Sequence, residues 1–299
     1  MGFRSVLKQW YVKYTKLRWT VGIAEFDPTI IFDPRKKLRI HWVKHNNKDS
    51  WFADPFILSI SDDHISLLVE EFIYSYNRGR ISRLTVNRHN WNLEKIEPLI
   101  EQKTHLSFPA YYREREKVFI YPENTQTGKL TLFEYDENTG ELVKVKDISS
   151  HPLADAVLYK LNGQKVIMAT TSPDDSGRSL DFYPFDGEPD SSPVETVRFD
   201  TKVARNAGIP FKAQGRVFRP AQDCTQYYGS CVVIQEMVEE NGKVSFKEIR
   251  RFHSPLLKYG HAFHTFNVFE DSFIAVDAEG FRHGPIAKAL FYIREHFRK

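Results

Sequence analysis

Phe52-Ala53-Asp54-Pro55-Phe56 is the stretch that decides the fold, because four later segments can be laid over it. They are Leu106-Ser107-Phe108-Pro109-Ala110, Leu153-Ala154-Asp155-Ala156-Val157, Val217-Phe218-Arg219-Pro220-Ala221 and Ala262-Phe263-His264-Thr265-Phe266. Their central residues fall at 54, 108, 155, 219 and 264, giving steps of 54, 47, 64 and 45 residues. A period of roughly 50 residues is one blade of a propeller, about four short strands. The innermost strand of every blade lines one shared channel. The repeat therefore predicts a five-bladed, all-β propeller with Asp54, Asp155, Arg219 and His264 gathered on its axis and Phe108 as the apolar exception.

The residues behind each segment read as hairpins. Phe56-Ile57-Leu58 is followed by a polar turn at Ser61–His64 and the run Ile65–Val69. Val157-Leu158-Tyr159 is followed by Asn162-Gly163 and Val166–Ala169, and Phe266-Asn267-Val268 by Glu270-Asp271-Ser272 and Phe273–Val276. Short β-branched and aromatic runs around such turns are hairpin signals. Third strands are expected over 80–86, 129–135, 179–185 and 244–251, most of them alternating polar and apolar residues. The fifth unit has no third strand of its own. Trp19-Thr20-Val21-Gly22-Ile23 is predicted to supply it, closing the ring by pairing the two ends of the chain.

Composition fits this picture. The chain has 299 residues, and all-β folds often exceed 200 residues as one domain. The expected boundaries are a basic extension over 1–18, the propeller over 19–281, and a basic amphipathic helix over 282–299. Aromatic residues make up 14%, which suits sheets packed face to face, and a net charge of +3 argues against a nucleic-acid partner. Cys224 and Cys231 flank a turn and would reach each other across a hairpin. Buried free thiols in a reduced compartment are the more usual outcome for such a pair.

No run resembles a signal peptide or a membrane span, so a cytoplasmic location is the expectation. Both ends are nevertheless basic and amphipathic. Val6, Trp10, Tyr11 and Tyr14 share one helical face, and Leu290, Phe291, Ile293 and Phe297 sit among Lys288, Arg294, Arg298 and Lys299. Such helices either rest on an anionic membrane surface or, more commonly, pack on the rim of their own domain.

The chemistry is expected in the channel. Two carboxylates on one axis, Asp54 and Asp155, repel each other and raise one pKa, which Arg219 and His264 would oppose. Glycoside hydrolysis needs such a pair facing the scissile bond. Partners for proton donation are read at the far ends of second strands: Glu70 or Glu71, Glu236 and, best placed, Glu123. Trp51, Phe108, Phe218, Tyr227 and Tyr228 offer flat faces for pyranose rings, although aromatic residues of β proteins are usually core. Arg205, in a long connection that reaches over the channel, would suit with Arg219 a phosphate or carboxylate on the ligand. His261 and His264 fall on opposite faces of a strand and so do not form a metal pair. No phosphate loop, Cys-x-x-Cys or nucleophile elbow is present, so neither a cofactor nor a metal is expected.

These residues resemble the N-terminal domain of plant glucosamine inositolphosphorylceramide transferases and bacterial relatives, itself similar to the propellers of glycoside hydrolase families 43 and 32. The likeness rests on 52–56, on His105–Pro109 with Tyr121-Pro122-Glu123, on Ala154-Asp155-Ala156, and above all on Gly215–Cys224 with its Arg-Pro-Ala-Gln-Asp-Cys string. It covers about 19–281. The resemblance implies a five-bladed fold and a role on carbohydrate, in making surface glycans or glycolipids rather than digesting them. In the hydrolases a first-blade Asp acts as base or nucleophile, a mid-chain Asp tunes it and a later Glu donates the proton. Asp54 and Asp155 match the first two. The fourth blade offers Arg219, Gln222 and Asp223 in place of the acid. Some family 43 propellers hold a metal near a fifth-blade histidine that His264 resembles, but no approaching carboxylate is read here.

Three functions follow. The first is a glycan-recognising propeller serving polysaccharide or glycolipid assembly, with Asp54, Asp155, Arg219, His264 and Asp223 around a sugar or sugar-phosphate. The second is a glycosidase or transglycosidase using Asp54 as base and Glu123 as acid. The third is a non-catalytic platform for docking proteins.

Overall fold

The computed structural model describes residues 17–240 and 243–281, with the single residue Ala289 beyond them. All but Ala289 of the expected C-terminal helix over 282–299, and all but Leu17 and Arg18 of the expected N-terminal extension, lie outside the described residues. Those two residues belong to the propeller, at the start of its first strand.

Among the described residues, twenty strands form five four-stranded antiparallel sheets. Strands β1 (Leu17–Glu25) and β2 (His41–Trp42) complete the last sheet. The first blade is β3 (Ser50–Ile60), β4 (His64–Ile73), β5 (Arg78–Asn87) and β6 (Leu93–Ile100). The second is β7 (Ser107–Glu114), β8 (Lys117–Glu123), β9 (Leu130–Tyr135) and β10 (Leu142–Ser149). The third is β11 (Leu153–Leu161), β12 (Gln164–Thr171), β13 (Ser179–Pro184) and β14 (Glu195–Arg198). The fourth is β15 (Phe211–Ala213), β16 (Arg216–Asp223), β17 (Cys231–Glu240) and β18 (Lys243–Phe252). Finally β19 (Phe266–Phe269) and β20 (Phe273–Phe281) join β1 and β2 in the order β19-β20-β1-β2. The predicted closure is therefore present: β1 runs antiparallel to β20 from Leu17↔Phe281 to Glu25↔Phe273. This arrangement is a five-bladed β-propeller.

Three inner strands share a local distortion at the predicted repeat positions. Asp54, Phe108 and Asp155 all have positive φ, at 49°, 43° and 45°. Each sits in a bulge, between Ala53 and Phe56, Ser107 and Pro109, and Ala154 and Val157. A bulge frees one backbone N–H from its own ladder and turns it aside. Asp tolerates this conformation, whereas for Phe108 it is a true outlier that surrounding contacts must hold.

The fourth blade departs from the expected register. Its inner strand is the irregular stretch that ends in β15, bridged to β16 through Asn206↔Ala221. Arg219 lies on β16, the second strand, and the expected third strand over 244–251 is the outermost, β18. Gly208 and Pro210 break the strand signal of the true inner segment, while the apolar run of β16 mimics it. The fourth repeat position falls at Arg205–Asn206, about 51 residues after Asp155 rather than 64.

Apolar side chains fill the gaps between neighbouring sheets. Phe56, Phe108, Ile120, Val157, Met168 and Phe182 belong to the largest cluster; Phe211, Phe218, Phe263 and Phe266 pack between the fourth and fifth blades. Val21, Ile23, Phe52, Leu67 and Ala275 seal the fifth blade to the first. Cys224 and Cys231 are buried and unbonded.

Gly208 tests the tightness of this packing. Phe266 N–H donates to Ala207 O at 2.7 Å, and a Cβ on Gly208 would lie 2.3 Å from Phe266 O, a backbone atom that cannot swing away. Gly208→Ala is expected to cost about 1–3 kcal/mol by overpacking, read as a lowered urea midpoint with unchanged slope.

Candidate functional site

The freed N–H groups of the inner strands all end on acids. Asp54 N–H donates to Asp277 Oδ2 at 2.9 Å, Phe108 N–H to Asp54 Oδ2 at 3.0 Å, and Asp155 N–H to Glu123 Oε2 at 2.8 Å. In each pair the acceptor comes from the preceding blade around the ring. Asp54, Glu123, Asp155 and Asp277 are all buried.

Two cations answer these acids. Arg205 takes Asp155 with Nε to Oδ2 at 2.6 Å, Glu123 with Nη2 at 3.1 Å and Asp175 with Nη1 at 3.2 Å. Burial works against its charge, yet Asp155 and Glu123 hold it well above the usual arginine value. Burial pushes Asp155 well above the carboxylate range; Arg205 opposes this and Glu123 reinforces it. On the other side, His264 donates from Nδ1 to Asp277 at 2.9 Å, and its Nε2 lies 3.8 Å from Asp54 Oδ1. Burial works to lower His264, but Asp277 overrides it and raises the imidazole to about 9. Burial lifts Asp54 to about 6, with His264 pulling down and Asp277 pushing up. Trp19 stacks on the His264 ring at 3.9 Å, and the Tyr228 ring, 44% exposed, lies beside both Arg205 and His264.

The predicted site residues thus divide. Asp54, His264, Asp155, Glu123 and Arg205 converge through the contacts above. Arg219 does not reach the channel: it is wholly buried, donating to Asn206 Oδ1 at 2.8 Å, Gln235 Oε1 at 2.6 Å and the carbonyls of Val203 and Ala204. Among the described residues no carboxylate pairs with it; Phe199 and Phe246 flank it instead. Its role is to hold 203–206 so that Arg205 points inward, and neither guanidinium is left for an anionic ligand. Phe108 is 1% exposed and packs edge-on to Phe56 at 5.0 Å, so it presents no face to a sugar. Asp223 pairs with Arg251 and accepts from Thr225 N–H, which ties down the β16–β17 turn. Trp51 stacks on Phe72 at 4.7 Å and packs against Trp19, Ala53 and Ala262.

Sequence reasoning missed Asp277. It lies on the second strand of its blade, where Glu70 and Glu123 lie on theirs. The second-strand reading that picked out Glu70 and Glu123 stopped short of the fifth blade; carried on to β20 it reaches Asp277. Gln222 closes the set from the fourth blade, donating to Asp155 Oδ2 at 2.5 Å. Glu71 is held by Ser50, Arg80 and Ser82, whereas Glu70, pushed well above its usual range by burial, lies 3.3 Å from His105 Nε2.

Asp54, His264 and Asp277 each bring a ligand atom to within 4.8 Å of the others, so two carboxylates do approach the histidine. These are the residues that could hold a cation. They fit one poorly, because Asp277 already accepts from Asp54 N, His264 N and Nδ1, and Thr265 N and Oγ1. A metal would compete with the bonds that join the fifth blade to the first.

A ring of buried, mutually bonded acids with one arginine and one histidine defines a propeller with a polar, charge-compensated channel. The family model described as "Glucosamine inositolphosphorylceramide transferase 1, N-terminal" matches residues 41–257, and the chain belongs to that family. Glucosamine inositolphosphorylceramide transferase 1 of Oryza sativa subsp. japonica is 24% identical over 208 residues, and that of Arabidopsis thaliana 23% over 218. Each match covers 67% of this chain but only 28% and 27% of those relatives. Among solved structures, a GH43_1 enzyme from Xanthomonas citri superposes with a TM-score of 0.50 at 9% identity, covering 78% of this chain and 87% of that one. A GH43 β-xylosidase/α-arabinofuranosidase from a compost microbial metagenome, in complex with xylotriose, gives 0.50 at 10%, covering 78% and 91%. These likenesses establish the fold.

Two outcomes follow from the charge pattern. Arg205→Ala leaves Asp155 and Glu123 buried without their cation and is expected to cost about 3–5 kcal/mol in urea unfolding at neutral pH. His264, raised in the folded state, contributes stability that is complete below its unfolded value of 6.5 and is lost as pH rises through about 9. The His264 contribution should therefore fall by roughly 3 kcal/mol across that window, and His264→Gln should remove it.

Proposed function

We propose that this chain is a carbohydrate-recognising propeller that serves the assembly of a surface polysaccharide or glycolipid, and that it does not hydrolyse its ligand. The observation that carries this reading is Arg205, which stands in the irregular inner segment of the fourth blade and pairs with both Asp155 and Glu123. Hydrolysis needs a proton donor beside the leaving oxygen, a contribution of about 10²–10⁴-fold. Glu123 spends Oε2 on Asp155 N–H and Arg205. Both oxygens of Asp54 are engaged as well, by Phe108 N–H and Thr265 Oγ1.

The comparisons support the carbohydrate side of the proposal. The relatives' names describe a transferase acting with glucosamine and inositolphosphorylceramide, and the superposed enzymes include one with xylotriose bound. This chain spans little more than a quarter of the plant proteins' length. We assign it recognition, with Tyr228 as the exposed ring on which a pyranose stacks. One observation favours a second reading, hydrolysis or transglycosylation with Asp54 as base and Glu123 as acid: burial holds Asp54 near 6, poised for proton transfer at neutral pH.

A glycan array with aryl-glycoside and oligosaccharide hydrolysis assays decides between them. Wild type and Asp54→Asn are expected to bind the same glycans without turnover, and Tyr228→Ala to bind about tenfold more weakly, the loss of one stacked ring. Turnover by wild type that disappears in Asp54→Asn would replace recognition with catalysis. Failure to bind any glycan would leave the propeller as a docking platform.

A further inference from the structure

We propose that the edge of the closing blade where the chain enters β1 and leaves β20 docks on an anionic lipid bilayer, seating a lipid phosphate in a basic cleft. The cleft holds about 510 Å³ and is lined by, among others, Arg18, His41, Lys44, Trp91, Lys258 and Tyr259. No aspartate or glutamate is among its described lining residues. Arg18 shares Nη2 between His45 Nε2 at 3.1 Å and Asn47 O at 3.2 Å, and its Nε–H is buried without an acceptor. Lys44 gives a single hydrogen bond to Asn90 O at 2.9 Å, and Lys258 lies over the Tyr259 ring at 5.2 Å. Three cations therefore face one cleft whose lining supplies no counter-charge. The complementary surface is anionic, and phosphate fits both the charge and the paired N–H donors of a guanidinium.

Leu257 makes that surface a bilayer rather than a dissolved anion. It is 92% exposed, next to Lys258, in the short 3-10 turn Leu257–Tyr259. A single exposed leucine means little by itself. This one is held out on a firm base: Tyr259 N–H donates to Leu256 O at 2.9 Å, and a Cβ on Gly280 would come within 1.9 Å of Lys258 O, so the turn is pressed against β20. An apolar tip beside an acid-free basic cleft can enter the acyl boundary while the cations meet headgroups. Leu17 and Phe281, paired with each other, stand at this same edge. Residues 1–16 carry four Lys and Arg with no acid, and 282–299 carry five with one. Each such cation near an anionic leaflet adds about 1 kcal/mol of attraction.

The test is co-sedimentation of the full chain with vesicles of phosphatidylcholine alone and of phosphatidylcholine mixed with phosphatidylserine. Wild type is expected to bind only the mixed vesicles and to be released by salt. Lys44→Glu with Lys258→Glu should weaken binding about tenfold or more. Leu257→Ser should weaken it several-fold at any salt concentration. All three side chains are exposed, and circular dichroism verifies that the variants fold. The proposal is overturned if wild type ignores anionic vesicles, or if either variant binds as wild type does, which would place the attraction in the flanking segments or in charge alone. Binding of inositol hexakisphosphate by wild type without vesicle binding would assign the cleft to a soluble ligand and overturn it equally. None of these outcomes depends on what the channel binds.

Discussion

The bond from a bulged inner-strand N–H to an acid on the preceding blade is the constraint on which this propeller turns. A sheet satisfies its backbone groups within itself, so adjacent blades touch mainly through apolar side chains, which set distance but not rotation. The donations Asp54→Asp277, Phe108→Asp54 and Asp155→Glu123 add direction. Each requires positive φ at the donor and a buried carboxylate at the acceptor, two features that are unfavourable apart. Together they compensate, because an N–H to carboxylate bond in a dry site is charge-assisted and replaces the water both groups have lost. Phe108 shows the coupling most clearly: no property of phenylalanine favours its backbone conformation, and the Asp54 carboxylate is what its N–H finds there.

This constraint explains the amino acids that make the fourth blade look anomalous. Its inner segment runs irregularly through Gly208 and Pro210, so something other than strand pairing has to position it. Arg219 does so from beneath, with carbonyl, amide and aromatic partners and no counter-ion. Gln222 reaches over it, bonding Asn206 O and Asp155. Asn206 in turn donates to Asp155 O and Met168 O, fastening the third blade to the fourth. The Arg-Pro-Ala-Gln-Asp-Cys string thus reads as the frame for Arg205. A cation at that point is then an architectural necessity: Asp155 and Glu123 are already fixed by the blade junction, and two buried acids side by side need a positive partner.

The blade number, the ring closure and the inner strands of four blades were legible in the sequence because each rests on a local signal repeated at a near-constant interval. Asp54 and Asp155 were legible for the same reason, since a repeat on a common axis makes position predictive of proximity. The fourth blade was not. Its inner strand carries no alternation, and an apolar second strand offered a better match to the pattern than the real equivalent. Arg205 was picked out only as part of a connection, and its ion pairs depend on a register that was off by one strand. Asp277 escaped for a different reason. Its significance comes from a second, weaker repeat, in which side chains rather than backbone shape recur, and short acidic positions are too common in strands to stand out.

Charge compensation also bears on the recognition proposed for this hydrolase-like fold. A catalytic carboxyl must change its proton or its bonding partner during turnover, so it needs a free face and a pKa that can move. Here the acids are fixed acceptors for backbone donors, and shifting one of them would loosen a junction between blades. Asp54 shows the conflict directly. Its elevated proton affinity is what a base at neutral pH requires, yet Phe108 N–H, Thr265 and His264 surround the same two oxygens. A site built this way is stiff, and stiffness suits binding, where a preformed polar surface loses little on meeting its ligand. In the recognition proposed above, the exposed Tyr228 ring beside Arg205 and His264 meets the ligand, while the charged ring keeps that surface in place.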